Sequence, residues 1–428
     1  DGLVDEVTTG INDDLVVTLA APDGNYAFNV SVVGVGQQSD DAQVLESARS
    51  GAAVALFQAT ATPTPLPTET PTPTPTLTPT PRPIQATAAP ASNGGSSGSI
   101  AAPSGGGFGA APPPSGSIGN FEYGGHVSNY GSTQTVAAMR QAGMTWLKVQ
   151  KRFYRGSDNV NEVVDAINTA KGNGFKVLIG TVGDPNQLGA GGQGYVQDYV
   201  NWLARIAAAG PNAIEVWNEP NLDREWPRGQ ISGAAYADML RQSYNAIKNT
   251  NSSVMVISAG PAPTGAENAF PGQVVNDDRW LRDMVNAGGL NYADCVGIHY
   301  NEGIVPPSAT NGDPRDNFYS RYYWTLLNLY WGIIGGQRPL CFTELGYLSS
   351  EGYPPLPGAF AWASNVTVQQ QAAWLAQAAA LSAQSGRVRM MIVWNVDFRG
   401  YGADPQAGYA MIRPGGGCPA CNALAAAR

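Results

Sequence analysis

From Ile118 to the C-terminus, over about 310 residues, the sequence repeats a single alternation. A short apolar run is followed each time by a stretch whose apolar positions recur at helical spacing. The runs near 121–127, 145–150, 176–181, 213–218, 254–260, 294–300, 339–344 and 388–395 read as strands. The stretches 133–142, 161–171, 195–208, 232–248, 278–287, 318–334 and 367–384 read as helices, with the tail supplying the last one. Because the strand runs are apolar throughout rather than alternating, they fit a parallel sheet covered on both faces. Eight such units predict an α/β fold of the (β/α)8, or TIM-barrel, type.

In a barrel of this kind the reactive groups lie where the strands end. The most informative strand end is Trp217-Asn218-Glu219-Pro220-Asn221. A second carboxylate closes a similar run in Cys341-Phe342-Thr343-Glu344-Leu345-Gly346. The chain has two histidines, His126 and His299, and both fall at predicted strand ends, as do Tyr300, Trp394, Asn395 and Asp397. Two glutamates on one rim suit the splitting of a glycosidic bond, where one carboxyl donates a proton and the other stays ionised. The competing reading of each residue is structural. Glu215, inside its strand, is expected to pair with Lys148 in the barrel interior, and Asp184 and Asp397 are expected to cap helices or turns. Trp226, in the loop after the fourth strand, is a candidate for stacking on a sugar.

These residues give the region 118–428 a resemblance to glycoside hydrolase clan A. The run Trp217 to Leu222 resembles family 39, while Phe342 to Gly346 and Ile298-His299-Tyr300 would suit family 5 as well. The resemblance implies a retaining β-glycosidase acting on an oligo- or polysaccharide. It makes Glu219 the general acid/base and Glu344 the nucleophile. It also implies that Asn218 bonds the sugar 2-hydroxyl, that Tyr300 holds Glu344 and that Trp394 forms the apolar floor, with His126, His299 and Trp226 as further substrate contacts. Members commonly carry an arginine near the end of strand two, where this chain has Lys148 and Gln150. The competing class is a catalytically silent barrel that binds carbohydrate or builds a cell-surface assembly.

Composition excludes other classes. With 24 basic against 33 acidic residues the net charge is −9, so no basic patch offers nucleic acid its phosphate contacts. No apolar run is long enough to span a bilayer. No His, Cys or carboxylate cluster has metal-ligand spacing, so neither a metal nor a cofactor is expected. Gly189 to Gly194 satisfies a dinucleotide-binding pattern, but it lies too far from its strand and reads as a glycine-rich loop. Cys295 and Cys341 read as buried thiols, and Cys418 and Cys421 as a local disulfide.

Upstream of the barrel, residues 1–58 read as two strands and a helix (15–19, 26–35 and 40–57). So small a unit is either a remnant of a longer domain or a segment that self-associates. Residues 59–117 form a linker, with a Thr-Pro alternation over 62–83 and then a Gly/Ser/Ala/Pro stretch. The linker suits polyproline II and flexible coil, as a bare spacer or an O-glycosylated stalk. The chain begins at Asp1 rather than Met, which points to an upstream segment removed or omitted, and the whole suggests a secreted or cell-surface protein.

Overall fold

The computed structural model describes residues 117–157 and 159–428, together with the backbone of Ala27–Phe28 and Phe57–Gln58. The chain divides into two units, Asp1–Ser99 and Ile100–Arg428. In the first, Ala27–Phe28 pairs antiparallel with Phe57–Gln58, so Phe57 lies in a strand where the sequence predicts the end of a helix. The remaining expectations for 1–58, and those for the 59–117 linker apart from Ser117, lie outside the described residues.

The second unit carries eight parallel strands: β1 (Tyr123–His126), β2 (Trp146–Arg152), β3 (Lys176–Val182), β4 (Ala213–Val216), β5 (Met255–Ser258), β6 (Val296–Tyr300), β7 (Leu340–Leu345) and β8 (Val388–Val393). They are hydrogen-bonded in the order β5-β4-β3-β2-β1-β8-β7-β6. A parallel bridge from Ile257 to Cys295 joins the two ends and closes the ring. Each strand is followed by a helix: α1 (Thr133–Gln141), α2 (Val160–Gly172), α3 (Pro185–Ala208), α4 (Gly233–Thr250), α5 (Asp277–Asn286), α6 (Tyr323–Ile333), α7 (Val368–Ser385) and α8 (Pro419–Ala426). The expected (β/α)8 barrel is the fold.

Local chemistry explains the helix starts. Ser132, Asp184, Ser232 and Thr367 each accept a backbone N–H of the first turn, and Thr367 with Gln370 completes a capping box. Asp184 is therefore a cap, as expected. The glycine-rich segment is not a loop. Gly189 to Gly194 lies inside α3, which begins at Pro185 and kinks at Gly192, where φ is 48°. Helical packing overrides the weak propensity of those glycines, and the kink takes up the strain.

The lower half of the barrel interior is plugged by Trp146, Leu178, Ala213, Cys341, Met390 and Ile392. A larger apolar shell lies between the strands and the surrounding helices. Above the plug the interior becomes polar, with Lys148 and Glu215 fully enclosed. Cys295 and Cys341 are joined in a disulfide rather than held as thiols, which adjacency of β6 and β7 makes possible with 6.0 Å between their Cα atoms. Cys418 and Cys421 form the expected local disulfide. The tail is tied to the barrel start, because Ile118 N–H donates to the Ala427 carbonyl at 2.8 Å. Among the described residues no helix is long and apolar enough to cross a membrane.

Candidate active site

The polypeptide turns sharply as it leaves β4. Trp217 and Glu219 both adopt positive φ, 74° and 40°, a conformation costly for side chains of their size. Packing holds the strained turn in place. The Trp217 indole is enclosed, its N–H donates to the Glu225 carbonyl at 2.8 Å, and its ring fills the space a side chain at Gly183 would take. Asn221 exchanges hydrogen bonds with the Ala262 backbone at 2.8 and 2.9 Å and donates to the Val275 carbonyl at 3.0 Å. Within the pentapeptide, Trp217 and Asn221 are thus structural fasteners, and Asn218 and Glu219 are left facing the mouth of the barrel. Each of these two is only 7 % exposed, and the Asn218 Oδ1 has no hydrogen-bond partner among the described residues.

Glu219 and Glu344 meet over His299. The His299 Nδ1 lies 3.1 Å from Glu219 Oε1 and 3.7 Å from Glu344 Oε2, while Nε2 lies 3.8 Å from Glu215 Oε1. One oxygen of each of Glu219 and Glu344 and a nitrogen of His299 all fall within 4.8 Å of one another. Lys148 supports this layer from below, with Nζ at 2.7 Å from Glu215 Oε2 and 3.6 Å from Glu344 Oε1. The pairing of Glu215 with Lys148 is as expected. The Arg224 guanidinium comes in from the loop after β4 and pairs with Glu219 Oε2. The centre therefore assembles the carboxylates of Glu215, Glu219 and Glu344 and the cations of Lys148, Arg224 and protonated His299. Glu219, His299 and Glu344 could offer donor atoms to a metal, but Lys148, Arg224 and His299 already supply the positive charge that a metal would bring.

The proton affinities follow from this network. Burial disfavours the charged form of His299, yet the charges of Glu344, Glu215 and Glu219 raise its pKa to about 10, so the ring is a cation. Burial likewise opposes ionisation of Glu219, but His299 and Arg224 hold its carboxyl well below the usual range. Glu344 goes the other way. Burial pushes its pKa up, His299 and Lys148 only partly offset this, and the charges of Glu219 and Glu215 add to it. In the free protein Glu219 is thus the carboxyl held ionised and Glu344 the one whose proton affinity is raised, the opposite bias from the one the resemblance implies.

The other expected site residues divide into those that line the mouth and those that do not. His126 and Trp394 pack edge to face with ring centroids 4.7 Å apart, and both line a cavity of about 280 Å³ with Gln150, Lys151, Arg152 and Phe398. Burial and the Lys148 charge keep His126 neutral, and its Nδ1 has no partner among the described residues. Trp394 is half-buried and fixed by its N–H bond to Gln406 Oε1 at 2.8 Å.

Three residues stand elsewhere than expected. His299 is fully enclosed and lies between the carboxylates instead of facing substrate. Tyr300 points out of the barrel, where its hydroxyl donates to the Arg321 carbonyl at 2.9 Å. Asn301 takes over its expected part, donating from Nδ2 to Glu344 Oε2 at 3.1 Å. Trp226 is core: its ring packs on Trp217 and Tyr236, and its N–H donates to the Gln230 carbonyl. Asp397 fastens the rim by accepting from the backbone of Ser128 and Asn129 and from the Thr135 hydroxyl. Sequence reasoning missed Arg224 and Asn301. The signal for Asn301 was its place directly after the strand end at Tyr300.

No family model and no curated protein matches the chain. Similar solved structures include a GH113 β-mannanase from Alicyclobacillus acidocaldarius, at 15 % identity, covering 73 % of this chain and 97 % of that one with a TM-score of 0.41. A glycoside hydrolase family 5 enzyme from Prevotella bryantii B14 is 13 % identical, with 73 % and 98 % covered and a TM-score of 0.45. The endo-1,4-β-mannanase from Rhizomucor miehei is 12 % identical, with 65 % and 86 % covered and a TM-score of 0.43.

Proposed function

We propose that the barrel is a retaining β-glycosidase in which Glu219 is the acid/base and Glu344 the nucleophile. The observation that carries this reading is the approach of the two carboxyl groups, within 4.8 Å oxygen to oxygen, at the C-terminal mouth of a (β/α)8 barrel. Double displacement uses carboxyl groups about 5–5.5 Å apart, whereas inversion needs about 6.5–9.5 Å to admit a water. Glu344 attacks the anomeric carbon as Glu219 protonates the departing oxygen. Glu219, now a carboxylate, then takes the proton of the water that releases the sugar. Lys148 and Asn301 orient Glu344 and stabilise its charge, and Asn218 offers its free Oδ1 to a sugar hydroxyl.

The substrate is a carbohydrate chain longer than one unit. The 280 Å³ cavity beside Trp394 and a second of about 570 Å³ share Ser128 and Phe398 as lining residues; both lie to the side of the carboxylate pair, where further sugar units would rest. Two disulfides support action outside the reducing cytoplasm, where the Thr-Pro run would serve as a spacer.

The test is hydrolysis of aryl β-glucoside, xyloside, mannoside, galactoside and cellobioside, then of polysaccharides, with Glu344→Ala as control and product anomers followed by NMR. The expected result is turnover that the control loses, with the β-anomer formed first. Initial release of the α-anomer would overturn retention. Silence on every substrate would overturn the enzyme reading in favour of a binding or structural barrel.

A further inference from the structure

Glu219 cannot act as an acid in the arrangement just described, and the reason is geometric. A carboxyl group that delivers a proton must carry it on an oxygen turned toward the leaving group. Both oxygens of Glu219 are taken by cationic donors, Oε1 by His299 at 3.1 Å and Oε2 by Arg224. One of these donors is fixed. His299 has no exposed surface, and its ring fills the space that any side chain at Gly260 would need.

The other donor is free to leave. The Arg224 side chain is 63 % exposed, so water can take up its charge when it leaves, and Glu219 keeps its contact with His299. The backbone that carries it is pinned on both sides. Leu222 N–H donates to the Glu219 carbonyl at 3.1 Å, Asp223 N–H to the Gln273 carbonyl at 2.8 Å and Trp226 N–H to the Leu222 carbonyl at 2.9 Å. Leu222 also bridges to Val274. Release therefore needs only side-chain torsions, with no movement of the loop. The neighbouring Glu225 is already engaged by Arg152 at 2.8 Å.

We propose that Arg224 is a substrate-displaced latch: it masks Oε2 of Glu219 in the free protein, and the leaving-group portion of a bound glycoside must push it aside before catalysis. The latch rests on the glycosidase reading given above. Its displacement also arms the pair. The charged groups around Glu219 are His299 from β6, Glu344 from β7, Glu215 from β4 with its partner Lys148, and Arg224 and Glu225 from the loop. With Arg224 gone, the negative charges of Glu344, Glu215 and Glu225 weigh more heavily on Glu219 and raise its proton affinity. Once uncovered, Oε2 of Glu219 can carry a proton taken up from water, while Lys148 and His299 hold Glu344 as the carboxylate. A single side-chain motion thus frees the oxygen of Glu219 that double displacement requires, and only when a ligand fills the site. Arg224 is thus a positioning residue that acts through Glu219.

The test compares wild type with Arg224→Ala and Arg224→Lys. The profile of kcat/KM against pH reports the free protein, and that of kcat reports the complex. In Arg224→Ala the basic limb of kcat/KM should move up by about one pH unit, as expected on removing a neighbouring opposite charge. The limbs of the kcat profile should coincide with those of wild type, and Arg224→Lys should fall between the two in kcat/KM. Equal movement of both profiles would mean that Arg224 stays on Glu219 in the complex, and this would overturn the latch. So would profiles that do not move at all.

A second readout does not depend on turnover. In the ligand-free protein with 13C-labelled glutamate carboxyls, Glu219 (assigned with Glu219→Gln) should titrate at higher pH in Arg224→Ala than in wild type. Coincident titrations would overturn the latch whatever the activity. Shifted titrations without turnover on any glycoside would uphold the masking contact and sink the glycosidase reading instead.

Discussion

The Lys148 ammonium lies 2.7 Å from the Glu215 carboxylate, and neither side chain reaches solvent. Buried pairs of this kind add little net stability but are costly to break, because the remaining charge has no water. Gly180 makes the pair possible, since a Cβ there would come within 2.8 Å of Lys148 Cε. Lys148→Met should cost about 3–5 kcal/mol in urea unfolding. Adding Glu215→Leu should recover most of that loss without restoring turnover, because Lys148 also supports Glu344. A double variant as unstable as the single one would contradict this account.

The same pair sets an acid limit on the fold. Burial opposes the charge of Glu215, but Lys148 and His299 hold its pKa at about 2, below the ordinary value of 4.5. Between those two values the unfolded chain binds more protons than the folded one, so stability rises with pH across the window. Read downward, this contribution is intact above about pH 4.5 and disappears as pH falls toward 2. Melting temperatures of wild type should drop more steeply through that window than those of the Lys148→Met/Glu215→Leu variant. Parallel curves would remove Glu215 as the source.

Gly260→Ala addresses the placement of His299. The added methyl would lie 2.4 Å from His299 Cδ2 and 2.7 Å from Nε2, so the ring or the strand must shift. A ring displaced by an ångström loosens the contact with Glu219, and losses of about 100-fold in turnover follow from errors of that size. Overpacking should cost about 1–3 kcal/mol as well. Wild-type kcat in a variant that melts normally would show that His299 does not set the geometry.

Two tryptophans near the mouth should respond in opposite ways. Trp226→Ala removes a ring buried among Trp217 and Tyr236 and should cost about 3–5 kcal/mol of stability. Trp394→Ala opens the lining of the 280 Å³ cavity and should raise KM by roughly tenfold or more, with a smaller loss of stability. A paired measurement of melting temperature and KM on each variant checks both.

The eight strands and their helices were legible because a parallel barrel demands contiguous apolar runs at strand spacing, and its helices demand a different period. Glu219 and Glu344 were legible because each closes such a run. The facing of His299 and Tyr300 was not, since one residue decides which side chain points inward, and the β6–β7 register shifts between Ile298 and His299. Arg224 was hidden for another reason. Its contact depends on the left-handed turn at Trp217 and Glu219, which bends the chain so that a residue five positions on returns to the carboxylate. The pairing of Cys295 with Cys341 depends on strand adjacency, which spacing along the chain does not encode.

The ring of strands closes between β5 and β6 over a short stretch, where Asp294 N–H donates to the Val256 carbonyl at 2.8 Å and Ser258 N–H to the Cys295 carbonyl at 3.1 Å. Cys295 is also the residue bonded covalently to β7, so β6 is anchored by a disulfide on one side and by hydrogen bonds alone on the other. If the barrel is forced open, it should unzip along that line, with β6 remaining on β7. The fold thus has a preferred parting line, and His299 and Glu344 would travel together on one lip of it while Glu219 stayed on the other.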